Sequence, residues 1–178
     1  MRPLSVSGGL DLRQVPIGDP DAQALIEEVQ EVYVLRYGGR DESPIDHAEF
    51  VAPHGAFFVG HLEGRPVVSG AWRRRTDVEL GGTTNTAEIK RMYVAPAARG
   101  LGLARRMLAH LEDTAQQAGV AAMVLETGSK QPEAIALYES SGYSAIPGFG
   151  FYRCEPLSRC LGKVLDVSAC PADTPHHE

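Results

Sequence analysis

The stretch "RGLGLARRML", residues 99–108, joins an arginine, two glycines spaced two apart and the first turns of an apolar helical pattern. Glycine lets the backbone adopt conformations closed to other residues, and it lets another group approach the backbone closely. An arginine beside such a backbone adds a positive charge that suits anionic ligands. The stretch therefore predicts a turn that begins a helix, and it raises the question of which group approaches that turn.

Two phosphate-binding patterns fit this stretch poorly. A P-loop requires lysine and a hydroxyl residue after its last glycine, but leucine and alanine follow Gly102. A dinucleotide-binding fingerprint requires a third glycine inside a βαβ unit. Arg105 stands at that position, and the preceding strand belongs to an antiparallel run.

The remaining interpretation is a helix N-terminus that binds an anion by itself. The N–H groups of a first helical turn have no partner within the helix, and the helix dipole places positive charge there. Gly100 and Gly102 would let a pyrophosphate reach these N–H groups, and Arg99 would add a charge-assisted hydrogen bond. A glycine-rich turn that only begins the helix stays open as the alternative.

Apolar periodicity and turn residues predict the other elements. Strand patterns cover residues 10–15, 56–62, 66–75, 86–96, 120–127 and 158–167. Helical patterns cover residues 20–37, the region around 46–50, and residues 101–118 and 132–141. Antiparallel strands followed by strand–helix–strand–helix predict a single domain of the α/β class, with an α+β mixed sheet, over residues 1–168. The tail, residues 169–178, is expected to be disordered.

Composition argues against several classes of protein. The 178 residues carry a formal net charge of −6, which argues against a nucleic-acid partner. The three cysteines, Cys154, Cys160 and Cys170, do not form the pattern of a disulfide framework. The sequence shows neither an apolar run of membrane-spanning length nor the pattern of a secretory signal. We therefore expect a reduced, soluble, cytoplasmic protein with no membrane partner.

Two motifs in the middle of the chain resemble the GNAT superfamily of N-acetyltransferases. The first is an apolar strand that ends in "VAP", residues 94–96, and is followed by "RGLGLA", residues 99–104, at a helix start. The second is a helix that carries Gln131, Ala134, Leu137 and Tyr138 and is followed by Gly142 and Tyr143. Gln131 stands where the family has asparagine. The resemblance covers residues 86–145, and it extends to residues 56–75 by strand order.

This resemblance implies a GNAT-like fold: a mostly antiparallel sheet with one splayed parallel strand pair and about four helices. It also implies acetyl-CoA as co-substrate and no metal, and the six histidines lack the spacing of metal ligands. The pyrophosphate would bind the N–H groups of residues 100–104, and the pantetheine arm would pair with the strand near residues 92–94. The implied cofactor-binding residues are Met92, Tyr93, Val94, Arg99, Gly100, Leu101, Gly102, Leu103, Ala104, Gln131 and Tyr138.

Acetyl transfer to an amine requires a base for the ammonium proton and an acid for the leaving thiolate. The resemblance implies Glu88, within "AEI", as the base and Tyr138 as the acid. An ion pair between Glu88 and Lys90 on one strand face is the open alternative for the base. For Tyr138, the alternative is packing beside Ala134 and Leu137 without a chemical role.

Acceptor pockets in this family use the first helix, the loop after it and the C-terminal strands. The corresponding segments here offer Tyr33, Arg36, Tyr37, Trp72, Arg74, Phe149, Phe151 and Tyr152. Strand alternation places Trp72 and Arg74 on one face, and Arg36 or Arg74 would suit a substrate carboxylate. The alternative for the "RRR" run, residues 73–75, is pairing with an acidic helix face that consists of Glu27, Glu28 and Glu31.

The sequence thus predicts an N-acetyltransferase that moves an acetyl group from acetyl-CoA to a primary amine of a small molecule, as a monomer or homodimer. Two other functions stay open. Acetylation of a protein or peptide would need an acidic groove, for which the chain offers Asp41, Glu42, Asp46 and Glu49. A non-catalytic acyl-CoA sensor would bind the cofactor without turnover. The segment "PGFGFY", residues 147–152, covers either the acceptor or the core.

Overall fold

The computed structural model describes residues 9–166, and within them one seven-stranded sheet is flanked by three α-helices. The strands are β1 (Asp11–Gln14), β2 (Gly55–Leu62), β3 (Arg65–Arg74), β4 (Thr86–Val94), β5 (Ala122–Gly128), β6 (Ser144–Ala145) and β7 (Ser158–Val164). The helices are α1 (Pro20–Tyr37), α2 (Leu103–Gln117) and α3 (Pro132–Ser140). Two short 3₁₀ helices cover His47–Phe50 and Pro96–Ala98.

The sheet contains one parallel strand pair at its centre. Its strand order is β1-β2-β3-β4-β5-β7-β6, and all neighbours are antiparallel except β4 and β5. The parallel pairing ends at Ile89 and Leu125, although both strands continue beyond these residues. The two strands therefore separate and leave a fork in the middle of the sheet, as the sequence predicted for a splayed pair.

A β-bulge lies in β4 where the fork opens. Gly70 of β3 opposes both Arg91 and Met92 of β4, because the register shifts between Ser69 and Ala71. Arg91 has a φ of 55°, in the left-handed region that residues other than glycine seldom adopt. The Ser69 hydroxyl donates a hydrogen bond of 2.9 Å to the Arg91 carbonyl and so holds the bulge locally. A bulge increases strand twist and re-aims side chains, and here it does so beside the fork.

Helix α1 begins and ends at the residues that the sequence predicts. The Asp19 carboxylate accepts hydrogen bonds from the N–H groups of Asp21 and Ala22, which is the role of a helix N-cap. Pro20 occupies the first helical position. Gly38 ends the helix at a φ of 81°, a left-handed conformation that costs glycine little.

Helix α2 packs an apolar face against one side of the sheet. The buried residues of this face are Leu103, Met107, Leu108, Leu111 and Ala115. Gly70 permits this close packing, because a Cβ there would lie 2.8 Å from Met107 and 3.0 Å from Leu111. The opposite side of the sheet is covered by α1, where Leu25 packs with Phe57 in a second cluster.

The predicted strands and the three longer helices are confirmed, but the number of helices is corrected. About four helices were expected, whereas residues 9–166 contain three α-helices. The region around 46–50 forms a 3₁₀ turn of four residues, because it is too short and polar for an apolar helical face. The predicted tail, residues 169–178, lies outside the described residues. In the described part of the chain, none of the helices combines the length and the apolar character needed to cross a membrane.

We expect Leu111→Ala to lower the free energy of unfolding by about 2–5 kcal/mol, because truncating a fully buried leucine leaves a cavity between α2 and the sheet. Leu35→Ala is the matched control: Leu35 lies on α1, its exposed fraction is 86%, and the expected change is within about 0.5 kcal/mol. Urea unfolding followed by circular dichroism measures both. Equal losses in the two variants would contradict this description of the core.

Candidate active site

A cleft of about 530 Å³ occupies the fork between β4 and β5. Ala134 and Tyr138 of α3 line it, and they pack with the core cluster on the α2 side of the sheet. Tyr33 of α1 also lines it, and it packs with the core cluster on the other side. The cleft therefore passes through the sheet from one face to the other.

The N-terminus of α2 carries free backbone donors. Gly102 occupies the cap position with a φ of 73°, and Gly100 has a φ of 76°. This helix start, all of it described, has no side-chain cap, so the first-turn N–H groups keep their donor capacity. The Arg99 Nε donates to the Val94 carbonyl at 3.3 Å, which places a guanidinium beside the turn. A pyrophosphate fits this arrangement, since the N–H groups and the helix dipole both favour an anion.

The outer half of β4 presents backbone groups toward the fork. Beyond Ile89, none of the described strands pairs with the edge of β4 that faces β5. Met92 lines the cleft at this edge. The Tyr93 side chain points to the α1 side, where its hydroxyl donates to Glu28 at 3.1 Å. Val94 packs against the α2-side core. An extended chain such as a pantetheine arm can pair with an open edge of this kind.

Helix α3 brings two of the predicted cofactor residues to the cleft. Gln131 precedes the helix, and its amide nitrogen lies 3.4 Å from the Tyr37 hydroxyl. Tyr138 is buried, and its ring packs edge-on against Tyr143 with 5.7 Å between centroids. Burial raises the pKa of Tyr138, so the phenol keeps its proton at neutral pH. A protonated phenol that lines a cleft can act as a proton donor.

Glu88, the predicted base, is held by arginines. It is 3% exposed, and its Oε2 accepts hydrogen bonds from Arg73 Nε at 2.9 Å and Arg75 Nη1 at 2.7 Å. Its Oε1 lies 3.8 Å from Lys90 Nζ, so the ion pair considered from the sequence exists but is the longest of the three contacts. Glu88 lines a second cleft of about 410 Å³ and is absent from the lining of the larger one. These contacts favour a structural role for Glu88.

A second carboxylate, Glu126, stands at the fork itself. It follows Leu125, the last residue of β5 that pairs with β4, and it lines both clefts. Burial raises the pKa of Glu126 to about 7, with Glu88 and Asp41 adding to the rise and Lys90 opposing it. A carboxyl group with this pKa exchanges a proton near neutral pH. Sequence reasoning missed Glu126, although a carboxylate at the end of the apolar run "VAAMVLE", residues 120–126, was an available signal.

Two loops meet over the α1 side of the cleft. The Tyr152 hydroxyl accepts a hydrogen bond of 2.7 Å from the Glu42 N–H and donates one of 3.2 Å to Asp41 Oδ1. Arg91, from the bulge, donates to Asp41 Oδ2. Burial alone would raise the pKa of Asp41, but Lys90 and Arg91 outweigh burial and hold this pKa at about 2. Asp41 is therefore a constant anion that ties the loops to the bulge.

Two of the predicted acceptor residues, Tyr33 and Tyr37, line the cleft. Arg36 does not line it, because its guanidinium pairs with Glu133 and donates to the Lys130 carbonyl at 3.0 Å. The carboxylate-binding role considered for Arg36 is therefore not supported by its contacts.

Trp72 and Arg74 share a strand face as predicted, but that face points toward α2 instead of the cleft. The Trp72 side chain is buried, and its Nε1 donates to Thr114 Oγ1 at 3.1 Å. Arg74 donates to the Pro53 carbonyl at 2.9 Å and to Asn85 Oδ1 at 3.1 Å. Both residues are therefore corrected from acceptor contacts to structural contacts.

For the aromatic segment 147–152, the sequence leaves two roles open: covering the acceptor and closing the core. Phe149 is buried with Val78 and Val124, and the Arg75 guanidinium lies 5.3 Å from its ring centroid, so it closes a small core. Phe151 lines the smaller cleft, and Tyr152 lines the larger one. The segment therefore both closes the core and covers the α1 side of the fork.

The charged runs have partners other than those considered from the sequence. Residues 73–75 do not pair with the acidic face of α1: Glu27 pairs with Arg40 at 2.6 Å, and Glu28 accepts from Tyr93. Glu49 pairs with Arg73 at 2.6 Å, and Asp46 accepts a hydrogen bond from the Ala48 N–H. The acidic residues 41–49 therefore do not form an open groove. Residues 9–166 contain no cluster of histidine, cysteine and carboxylate side chains suited to a metal ion.

The chain is similar to known acetyltransferases. Residues 22–143 match the acetyltransferase (GNAT) family. A protein of Azospirillum brasilense named "IAA acetyltransferase" is 36% identical over 153 residues, which are 86% of this chain and 95% of that protein.

Solved structures share the fold. A candidate acyl-CoA N-acyltransferase from Klebsiella pneumoniae superposes with a TM-score of 0.73 at 27% identity, covering 90% of this chain and all of that one. The structure of yncA from Salmonella typhimurium with its cofactor acetyl-CoA superposes with a TM-score of 0.61 at 21% identity, covering 93% of this chain and 99% of that one. The family match spans more than half of the sequence, and it includes both motifs that the sequence shows, residues 94–104 and 131–143. The chain therefore belongs to the acetyltransferase (GNAT) family, a family of acetyl-CoA-dependent acyltransferases.

Proposed function

We propose that this enzyme transfers the acetyl group of acetyl-CoA directly to the primary amine of a small molecule. The observation that carries the proposal is the cleft through the sheet: Tyr138 stands on one side of it, and Glu126 on the other. A donor and an acceptor that approach from opposite faces would meet between these two side chains. When bound, acetyl-CoA supplies an acetyl thioester that an uncharged amine can attack.

In this proposal the chain holds the cofactor mainly by its backbone. The N–H groups of residues 100–104 bind the pyrophosphate, and Arg99 adds a positive charge. The open edge of β4 at residues 92–94 pairs with the pantetheine arm, and Gln131 adds a side-chain amide at the cleft. Backbone donors do not depend on a lysine, which answers why the glycine stretch lacks one.

We assign the proton acceptor to Glu126. An amine is mostly protonated at neutral pH, so a group near the acceptor must take a proton before attack. Glu126 is half-buried at the fork, its pKa is raised to about 7, and it lines the cleft. Glu88 stays as the competing assignment from the sequence, but Arg73 and Arg75 occupy its Oε2. Tyr138 then donates its hydroxyl proton to the departing sulfur, and the resulting phenolate regains a proton from the attacking nitrogen, which loses it as the amide forms.

The contacts around the cleft favour a small acceptor over a peptide. Tyr152 joins the loop before β7 to Asp41 and Glu42, which covers the side of the cleft where a peptide would need an open groove. The carboxylates of Asp41 and Glu49 are engaged by arginines. A sensor that only binds the cofactor would need neither a half-buried carboxyl with a pKa near neutrality nor a buried phenol at the fork.

The proposed pyrophosphate site predicts that Gly102→Val loses the thermal stabilisation by acetyl-CoA. A side chain at this position would stand between the anion and the first-turn N–H groups of α2. Acetyl-CoA at one hundred times its Kd should stabilise the parent protein by about 2.7 kcal/mol, read as a rise in Tm. Gly64→Val is the matched control: Gly64 has a φ of 75°, a Cβ there also meets nothing within 4 Å, and it lies in the β2–β3 turn. If acetyl-CoA raised the Tm of Gly102→Val as much as that of the parent protein, the pyrophosphate would have to bind elsewhere.

The assignment of the base predicts different pH profiles for two carboxylate variants. In the parent, kcat/KM should fall as pH drops below about 7, because Glu126 is then protonated. Glu126→Gln should remove this fall, the acidic limb of the pH profile, and should lower kcat/KM by about 10²- to 10⁴-fold at neutral pH. Glu88→Gln should keep the limb and move it to lower pH, since the Glu88 charge raises the pKa of Glu126. Rates are taken per folded molecule, because Glu88→Gln also removes the carboxylate that Arg73 and Arg75 share. If Glu88→Gln removed the acidic limb and Glu126→Gln kept it, the base would be Glu88.

The assignment of the acid predicts that Tyr138→Phe lowers kcat far more than it raises the KM for acetyl-CoA. Only the transition state needs the phenolic proton, so binding should change little. Tyr143→Phe is the matched control, because the Tyr143 hydroxyl donates to Glu112 at 2.9 Å outside the cleft. It should leave kcat near the parent value. Steady-state kinetics with one amine decide the matter, and an unchanged kcat for Tyr138→Phe would leave Tyr138 with packing alone.

A further inference from the structure

Lys90 is a buried ammonium group that the proposed transfer does not use. It lies on β4, and its side chain is 14% exposed. Of the residues that line the two clefts, Lys90 and Glu126 are the ones common to both. Lys90 therefore faces the space where the acceptor must lie.

The ammonium of Lys90 has few close partners. Within residues 9–166, its hydrogen-bond partner is Ser43 Oγ at 3.3 Å. Two carboxylate oxygens are farther away: Glu88 Oε1 at 3.8 Å and Asp41 Oδ2 at 4.0 Å. An ammonium has three N–H donors, so Lys90 keeps donor capacity toward the cleft.

Arginines already neutralise both of these carboxylates. Glu88 accepts from Arg73 and Arg75, and Asp41 accepts from Arg91. Arg73 also pairs with Glu49 at 2.6 Å, and Arg75 also pairs with Asp77 at 2.8 Å, so the three arginines have carboxylates at hydrogen-bond distance. Among the four cations of this region, Lys90 has the longest carboxylate contacts, at 3.8 Å and 4.0 Å. Lys90 is therefore the cation that an anionic group of a ligand can bind.

The register of the sheet places this cation beside the proposed base. Lys90 and Glu126 are the first residues beyond the last parallel pair, Ile89 and Leu125. Ile89 and Leu125 pack into the α2-side core, so the next residue of each strand points to the other side of the sheet. Paired strands lie about 4.8 Å apart, and Lys90 and Glu126 directly follow the last paired residues. One small molecule can therefore reach both side chains with adjacent functional groups.

We propose that the acceptor is an α-amino acid whose carboxylate binds Lys90 while its amine faces Glu126. One carbon separates the two groups of such a molecule, which matches two neighbouring side chains at the fork. This inference rests on the proposed acetyl transfer to an amine. It moves the carboxylate contact, expected from the sequence at Arg36 or Arg74, to Lys90.

The test compares the common L-amino acids with their carboxamides as acceptors. The amine of a carboxamide is less basic than that of the free acid, so without carboxylate recognition the carboxamide would be the better acceptor at neutral pH. Thiol release measures kcat/KM for each acid and its carboxamide. We expect the best free acid to exceed its carboxamide by about 100-fold, the effect of removing one partner from a buried charge pair. In Lys90→Met this ratio should fall to about one or below.

Lys163→Met is the matched control, since Lys163 pairs with Glu112 away from both clefts. It should keep the parent's ratio. Lys90→Met also moves the pKa of Glu126, but that shift acts on both acceptors and cancels in the ratio. A parent that prefers carboxamides, or a Lys90→Met variant with the parent's ratio, would overturn the proposal.

A binding measurement separates this inference from the proposed function. Each free acid and carboxamide is added to the protein saturated with coenzyme A, and the rise in Tm is recorded. Acetyl-CoA that stabilises the protein without thiol release from any amine would refute the proposed transfer. In that case, a rise in Tm that requires both the free acid and Lys90 would still support the carboxylate site. A rise that is equal for acids and carboxamides, or no rise with any acid, would refute it.

Discussion

The parallel ladder between β4 and β5 ends at Ile89 and Leu125, and the rest of the site depends on that end. Up to this pair, the two strands satisfy each other's backbone groups across a continuous sheet. Beyond it, β4 continues through its bulge and remains paired with β3, while β5 remains paired with β7. The fork provides the cleft, an unpaired strand edge and a place for polar side chains inside the sheet. A buried sheet rarely leaves backbone donors unused, so the cost of the fork marks it as a binding feature.

The two carboxylates near the fork differ because their surroundings differ. Glu88 lies two residues before Lys90 on β4, where Arg73 of β3 and Arg75, which directly follows β3, donate hydrogen bonds to it. Glu126 lies on the neighbouring strand, where burial and two nearby carboxylates act against its charge. Environment can push two acids of the same type toward opposite roles. Removing Glu88 would take away the carboxylate that Arg73 and Arg75 share, leaving each with one more exposed partner, Glu49 or Asp77, and these contacts favour a framework role for Glu88.

The parts of the fold that depend on local chemistry could be predicted from the sequence. Asp19, Pro20 and Gly38 bound α1 because capping and left-handed φ angles involve only neighbouring residues. The two glycines before α2 could be predicted for the same reason, because the turn that they form also involves only neighbouring residues. The acceptor side was harder, because alternation shows that Trp72 and Arg74 share a face but not which face meets the cleft. Glu126 and Lys90 come together only through the register of two strands about thirty residues apart, and no local pattern carries that register. The arginine partners of Glu88 depend on tertiary packing in the same way.

A passage through the sheet has a consequence for the order of events. A molecule bound on the α3 side and one bound on the α1 side do not occupy each other's path, so neither has to leave before the other arrives. In the proposed direct transfer, the acetyl group therefore needs no temporary covalent carrier on the protein. In that reaction the two products would face separate exits, so the architecture would impose no order on their departure.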